Sequence, residues 1–171
     1  GLAAHLDGQD NDIALRTCGK ALGSEGALVC APAVIADFLI NRARGFIFST
    51  APSPLMAAAT LAALGVLRDE PERREALWRR VRLAEQVLGP LGAQVSGSQI
   101  VPLIIGEDGE TMRRAAALQA PGFDVPGIRP PTVPTGTARL RIAITLNLSK
   151  ADIAALAEAL GAVQAAPVLS R

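Results

Sequence analysis

Short apolar runs alternate along the chain with breaks marked by glycine and proline, and the spacing of the runs predicts the elements. Ile13-Ala14-Leu15 and Ala27-Leu28-Val29-Cys30-Ala31 have strand length and flank the glycine-studded residues 16–26, so a strand, a turn and a second strand are expected. Pro32 suits the start of a helix, in which Val34, Ile35, Phe38 and Leu39 form one apolar stripe with Arg42 and Arg44 near its end. A turn at Gly45 then leads into an extended, partly apolar loop over 46–52, because Pro52 and Pro54 exclude a helix there.

From Pro54 an Ala- and Leu-rich helix is predicted to about Leu67. Asp69-Glu70-Pro71 interrupts it, and Pro71 suits the first turn of a second helix running to about Leu88, with Leu77, Val81, Ala84 and Leu88 on one face. Gly89-Pro90-Leu91-Gly92 ends that helix. Residues 100–106 read as an apolar strand whose Pro102 marks an edge or a strand start. A helix over 107–120 follows, then an extended stretch over 123–128 and a proline-rich turn over 129–134. Residues 139–146 alternate, with Leu140, Ile142, Ile144 and Leu146 on one face and Arg139 and Arg141 on the other. Ser149 caps the last helix with Asp152 in a capping-box position, and Ile153, Leu156 and Leu160 line its core face. Residues 1–12 read as a loop with His5 on the solvent side, and 165–171 as a frayed end.

The order of elements predicts an α/β protein. Residues from about 91 on make a compact layer, whereas the strands in the first 50 residues lack obvious partners. The expected division is 1–90 and 91–171.

Composition narrows the function classes. Half of the 171 residues are hydrophobic and the formal charge is +1, so the chain can bury a sizeable core and has no electrostatic bias toward nucleic acid or membrane. Four Phe, one Trp and no Tyr leave no stacking platform for single strands. The arginines of the 71–88 helix are interleaved with Glu72, Glu75 and Glu85, which predicts a solvated, salt-bridged face. Cys18, Cys30 and His5 do not assemble a zinc site, and two buried thiols in a reducing cytoplasm are expected rather than a disulfide. No signal peptide opens the chain and the apolar stretch over 54–67 is too short to span a bilayer, so a cytoplasmic location is expected.

Candidate chemistry lies in the first turn. Lys20 stands at a strand end among Gly19, Gly23 and Gly26, where a backbone can approach a ligand. A lysine held near apolar strands loses its proton more readily and becomes an amine nucleophile. Thr17, three residues earlier, offers a hydroxyl to the same ligand. The alternative is a surface lysine in a loop. A Ser/Thr-x-x-Lys spacing also occurs in penicillin-recognising enzymes, but their Ser-Asp-Asn and Lys-Thr-Gly companions are missing here.

Three stretches together resemble one family. The segment Thr17-Cys18-Gly19-Lys20-Ala21-Leu22-Gly23-Ser24-Glu25-Gly26-Ala27 resembles the cofactor-lysine segment of the α-oxoamine synthases, which are pyridoxal-phosphate (PLP) enzymes of the aspartate-aminotransferase fold. Residues 38–52 resemble the helix and loop that follow that lysine. Residues 127–141, from Gly127-Ile128-Arg129-Pro130-Pro131-Thr132 to Arg141, are similar to the C-terminal substrate-binding segment.

The resemblance implies a fold-type I PLP transferase, with the end of the large domain to about residue 90 and the small C-terminal α/β domain after it. It implies that Lys20 holds PLP as an imine and that Thr17 binds its phosphate. Thr50, with Ser49 as second choice, is implied to reach the phosphate in the neighbouring subunit of a homodimer. Thr132 is implied to contact substrate, and Arg141 with Arg129 to hold its carboxylate. Within the family the wording is nearest to members that condense L-alanine with a pimeloyl thioester and release CO₂. Glycine C-acetyltransferase, 5-aminolevulinate synthase and serine palmitoyltransferase are alternatives, as is a non-catalytic α/β module in which Lys20 only pairs with a carboxylate. The family's aspartate for the pyridine nitrogen, its ring-stacking histidine and its glycine-rich phosphate turn are not found in the chain. It therefore reads as the C-terminal half of such an enzyme and is expected to be inactive alone.

Overall fold

A computed structural model describes Gln9 and residues 12–165. The expectations for His5, for most of the opening loop and for the chain's end fall outside the described residues. Two compact units divide the chain, Gly1–Glu70 and Pro71–Arg171.

In the first unit, strands β1 (Ala14–Thr17) and β2 (Ala27–Cys30) pair antiparallel, with Ala14 opposite Cys30 and Thr17 opposite Ala27. The strand-turn-strand expectation holds. Helices α1 (Ala33–Arg42), α2 (Arg44–Ile47) and α3 (Pro54–Asp69) follow. Helix α2 corrects the sequence expectation of an extended stretch from Phe46. A proline restricts only the residue before it, and Pro52 is too far downstream to deny a helical turn to Arg44–Ile47. Both Phe46 and Ile47 donate their N–H to the Ala43 carbonyl at 2.9 Å, and the Arg44 guanidinium lies 5.4 Å from the centre of the Phe48 ring. Helix α3 begins where the prolines allow it, with Pro54 in its first turn and Ser53 Oγ accepting from Leu55 N at 3.3 Å.

The first unit has almost no core of its own. Among its described residues only Cys18 and Thr60 are buried, while Leu15, Val29, Val34, Phe38, Phe46, Phe48 and Leu61 are exposed. No residue of α1 is fully buried, so the stripe predicted there is half-covered at Ile35 and Leu39 and open at Val34 and Phe38. Cys30 is exposed as well, because its strand belongs to a two-stranded sheet; of the two free thiols only Cys18 is buried.

The second unit is a sheet with three helices packed on it. It comprises α4 (Pro71–Leu88), a 3₁₀ turn at Gly89–Leu91, β3 (Ile100–Gly106), α5 (Asp108–Gln119), β4 (Gly127–Ile128), β5 (Ala138–Ala143) and α6 (Lys150–Ala165). The strands lie in the order β3-β5-β4, all antiparallel. Leu140 and Ile142 of β5 meet Val101 and Leu103 of β3, Leu118 of α5, Ile153 and Leu160 of α6, and Val81 and Leu88 of α4 in one buried cluster. Helix α4 thus supplies side chains to the core of the second unit. The division expected from the sequence falls later, after residue 90.

Pro102 sits within β3, and β3 is an edge strand, as its proline required. Strand β5 ends at Ala143, three residues short of its predicted end, although Ile144 still donates to the Gln99 carbonyl at 2.8 Å. The capping box of α6 forms as predicted: Asp152 N donates to Ser149 Oγ at 3.1 Å, and Ser149 N to the Asp152 carboxylate at 2.7 Å. That backbone hydrogen bond holds the Asp152 carboxyl below its ordinary range. At α5 the N-cap is Glu107, whose carboxylate accepts from Gly109 N at 3.0 Å and Glu110 N at 2.5 Å and is likewise held low by these two bonds.

Candidate functional site

The turn between β1 and β2 is closed by its own backbone. Cys18 N donates to Gly26 O at 2.9 Å, Ser24 N to Cys18 O at 3.0 Å, and Gly23 N to Lys20 O at 3.0 Å. Gly23 and Gly26 adopt φ of 60° and 79°, a region in which a side chain would be strained. Beneath the turn Cys18 is only 2 % exposed, while Lys20 on its outer side is exposed. Lys20 therefore stands in the turn, three residues past the end of β1, and the apolar shelter expected for it is not provided by its own hairpin. Thr17, the last residue of β1, is also exposed. Amine and hydroxyl are thus carried on one short, internally bonded hairpin.

One side chain ties this turn to the rest of the unit and was missed in the sequence: Ser24 Oγ donates to the Met56 carbonyl in the first turn of α3 at 2.9 Å. Just upstream of α3, Ser49 and Thr50 follow α2 in an exposed stretch. The Ser49 hydroxyl is already committed to the Gly45 carbonyl at 2.5 Å.

The other three predicted residues belong to the second unit. Arg139 and Arg141 project from the face of β5 opposite the buried Leu140 and Ile142. Arg141 is exposed, whereas Arg139 is half-buried and spends its Nε on the Thr137 carbonyl at 2.9 Å. Ile128 pairs with Arg139, so Arg129 begins the turn at that edge of the sheet. Thr132 closes the turn by donating its N–H to Arg129 O at 3.1 Å. Arg129, Thr132 and Arg141 all reach solvent within one unit.

A groove of about 540 Å³ in the second unit is lined by Ala76, Arg79, Arg80, Arg82, Leu83, Gln86 and Lys150, and it holds none of these predicted residues. Its arginines are not simply a solvated, paired face. Arg79 lies 3.9 Å from Glu75, but Arg80 Nε donates to the Leu148 carbonyl at 2.5 Å and pins the entry to α6. Among the described residues no cluster of three or more His, Cys, Asp or Glu is placed to hold a metal, and no helix is long and apolar enough to cross a membrane.

A lysine turn between paired strands is followed in the chain by long helices and a small antiparallel layer. The chain belongs to the aminotransferase class I and II family, whose pattern matches residues 2–160. Its curated relatives carry a more particular name. The 8-amino-7-oxononanoate synthase of Methylobacterium radiotolerans is 42 % identical over 95 % of this chain and 43 % of its own length. A putative 8-amino-7-oxononanoate synthase of Desulforudis audaxviator is 48 % identical over 85 % of this chain and 38 % of its own. The chain thus spans about four-tenths of the length of the curated relatives it matches.

Solved structures agree on the fold, which is that of the fold-type I enzymes. A structure of SPT with PLP superposes with a TM-score of 0.83 at 25 % identity, covering 89 % of this chain and 39 % of that one. The 8-amino-7-oxononanoate synthase of Francisella tularensis gives a TM-score of 0.77 at 25 % identity, covering 88 % and 44 %.

Proposed function

We propose that the chain is part of a PLP-dependent acyltransferase that condenses L-alanine with a pimeloyl thioester, on coenzyme A or a carrier protein, giving 8-amino-7-oxononanoate, CO₂ and the free thiol carrier. The observation that carries this is an exposed Lys20 on a glycine-closed hairpin turn, in a chain 42–48 % identical to enzymes of that name. Serine palmitoyltransferase chemistry is the second possibility, favoured by the higher TM-score of 0.83 against 0.77. At 25 % identity for both structures that difference reports backbone shape; the closer curated relatives favour alanine and the pimeloyl group.

An exposed primary amine and an exposed hydroxyl on the same hairpin suit a cofactor that carries an aldehyde and a phosphate. When bound, PLP supplies the electron sink that stabilises a carbanion at the amino acid's α-carbon. Lys20 would hold the cofactor through Nζ and, when that amine is free, move a proton at the α-carbon. Thr17 would bind the phosphate, joined by Thr50 of a neighbouring subunit. Arg141, with Arg129 and Thr132 on the adjoining turn, would grip the substrate carboxylate, for which a planar guanidinium is matched in shape and charge.

The proposal includes a homodimer, which the exposed Phe46, Ile47 and Phe48 beside Ser49 and Thr50 support as an apolar surface suited to an interface. It includes a cytoplasmic location, in keeping with two free thiols, and a large-domain remainder over 1–90 joined to a small domain over 91–171. Activity is assigned to the whole enzyme. No histidine stands among the described residues to stack on a pyridine ring, so this chain alone is proposed to be inactive.

Borohydride reduction after PLP treatment, followed by peptide mapping, tests the lysine. Pyridoxyl on Lys20 is expected, and label confined to Lys150, the other lysine of the chain, refutes the assignment. In the full-length enzyme, product from L-alanine and pimeloyl thioester but not from serine and palmitoyl thioester is expected. The reverse selectivity would move the function to the second possibility.

A further inference from the structure

We propose that Ser24 is a positioning residue for Lys20, a role that rests on Lys20 being the cofactor lysine. The three backbone bonds of the turn fix its internal shape but not its attachment to the unit. Ser24 Oγ supplies a long-range attachment, donating to Met56 O at 2.9 Å across 32 residues of sequence. Met56 is a firm anchor, because it lies in the first turn of a 16-residue helix whose start is fixed by Pro54 and the Ser53 cap.

The same bond reaches the helix that follows Thr50, the residue proposed to serve the neighbouring subunit's site. The exposed stretch with Ser49 and Thr50 enters α3 through Ser53, three residues before Met56. Ser24 therefore locks the lysine turn to the helix end from which Thr50 is displayed. A lysine amine on a four-carbon stem gains effective concentration at a reacting carbonyl only as far as its backbone is held, since each freely rotating residue of the support must otherwise be ordered during reaction. Alanine at position 24 keeps the turn's backbone bonds and removes the tether. Threonine keeps the hydroxyl.

The test uses the full-length enzyme carrying Ser24→Ala or Ser24→Thr. Lys20 Nζ adds to the aldehyde of PLP with loss of water, and borohydride traps the imine for mapping. Lys150, in the second unit, is the internal reference. In Ser24→Ala the ratio of Lys20 to Lys150 labelling rates is expected to fall about threefold or more, with amide exchange over residues 18–26 faster by about tenfold. Exchange in Ile100–Gly106 stays as in the parent, which shows that the second unit is folded. Ser24→Thr restores both quantities. An unchanged ratio and unchanged exchange in Ser24→Ala overturn the tether, as does a Ser24→Thr variant that behaves like Ser24→Ala. If the parent enzyme leaves Lys20 unlabelled, the cofactor-lysine assignment fails instead, and exchange over 18–26 still decides whether Ser24 holds the turn.

Discussion

Pro102 stands directly opposite Arg141 in the β3–β5 pair, and its carbonyl turns away from β5 to accept Gln94 N at 2.8 Å. Arg141 in turn sends its own N–H to the other side of the strand, to Pro126 O at 3.0 Å. At this position the two strands exchange no backbone hydrogen bond, so the N–H that proline lacks is not needed. Arg141 is thereby fixed in register between two prolines while its guanidinium stays in solvent.

That geometry separates the two arginines of β5. Arg141 is exposed and free to meet a carboxylate, whereas Arg139 is tied to Thr137 O. In the full-length enzyme Arg141→Ala is expected to lower kcat/KM for alanine by roughly 30-fold or more, the loss of a bidentate charged contact. PLP absorbance should not change. Arg139→Ala should affect kcat/KM only mildly. Steady-state kinetics of the two variants check this, and the reverse order would move the carboxylate contact to Arg139.

A shared active site predicts complementation. In a dimer mixed from Lys20→Ala and Thr50→Ala subunits, one site carries both lesions and the other neither. Statistical mixing should therefore restore about a quarter of the parent activity. Subunit exchange of the two inactive proteins followed by assay is the measurement, and absence of recovery counts against Thr50 acting across the interface.

Close packing of β4 on α5 depends on Gly127. A Cβ there would lie 2.9 Å from Met112 Sδ and 3.3 Å from Thr111 Cγ2. The Met112 chain is partly exposed and can swing aside, but Thr111 is buried and its hydroxyl is bonded to Glu107 O at 2.7 Å. Gly127→Ala is expected to destabilise the second unit by about 1–2 kcal/mol, read by urea denaturation.

The capping box of α6 gives a pH signature. Ser149 N holds the Asp152 carboxyl below its ordinary range. A carboxyl depressed in the folded state contributes stability that is fully present above the unfolded pKa and is lost as pH falls through the folded one. The loss therefore begins near pH 4 and extends below it. Asp152→Asn should show a smaller fall in melting midpoint between pH 7 and pH 3 than the parent. Ser149→Ala should cost about 1 kcal/mol at neutral pH.

Elements bounded by strong local chemistry were legible in the sequence. Helix α4 spans Pro71–Leu88 as expected, because a proline opens it and Gly89-Pro90 closes it. The hairpin around Lys20 and the box at Ser149 follow equally from residues a few positions apart. Helix α2 was not legible, since one turn of helix leaves no period to read. Neither was the Ser24–Met56 bond, which joins positions 32 apart. No local pattern reports such a contact. The roles of Lys20, Thr17, Thr50 and Arg141 came from family wording, because an exposed amine or guanidinium looks alike on any surface.

The contrast between a unit with a core and a unit almost without one has a consequence during synthesis. Residues up to Glu70 leave the ribosome before those of the second unit, and among the described residues Leu15, Val29, Phe38, Phe46 and Phe48 have little of their own unit to bury against. At about 5–20 residues per second, the next hundred residues take roughly 5–20 s to be added. For that interval these aromatic and branched side chains depend for cover on something other than the second unit, and left without it they are the kind of stretch that general chaperones grasp. The second unit, with Leu88, Leu140 and Leu160 already meeting in one cluster, can collapse as soon as α6 emerges.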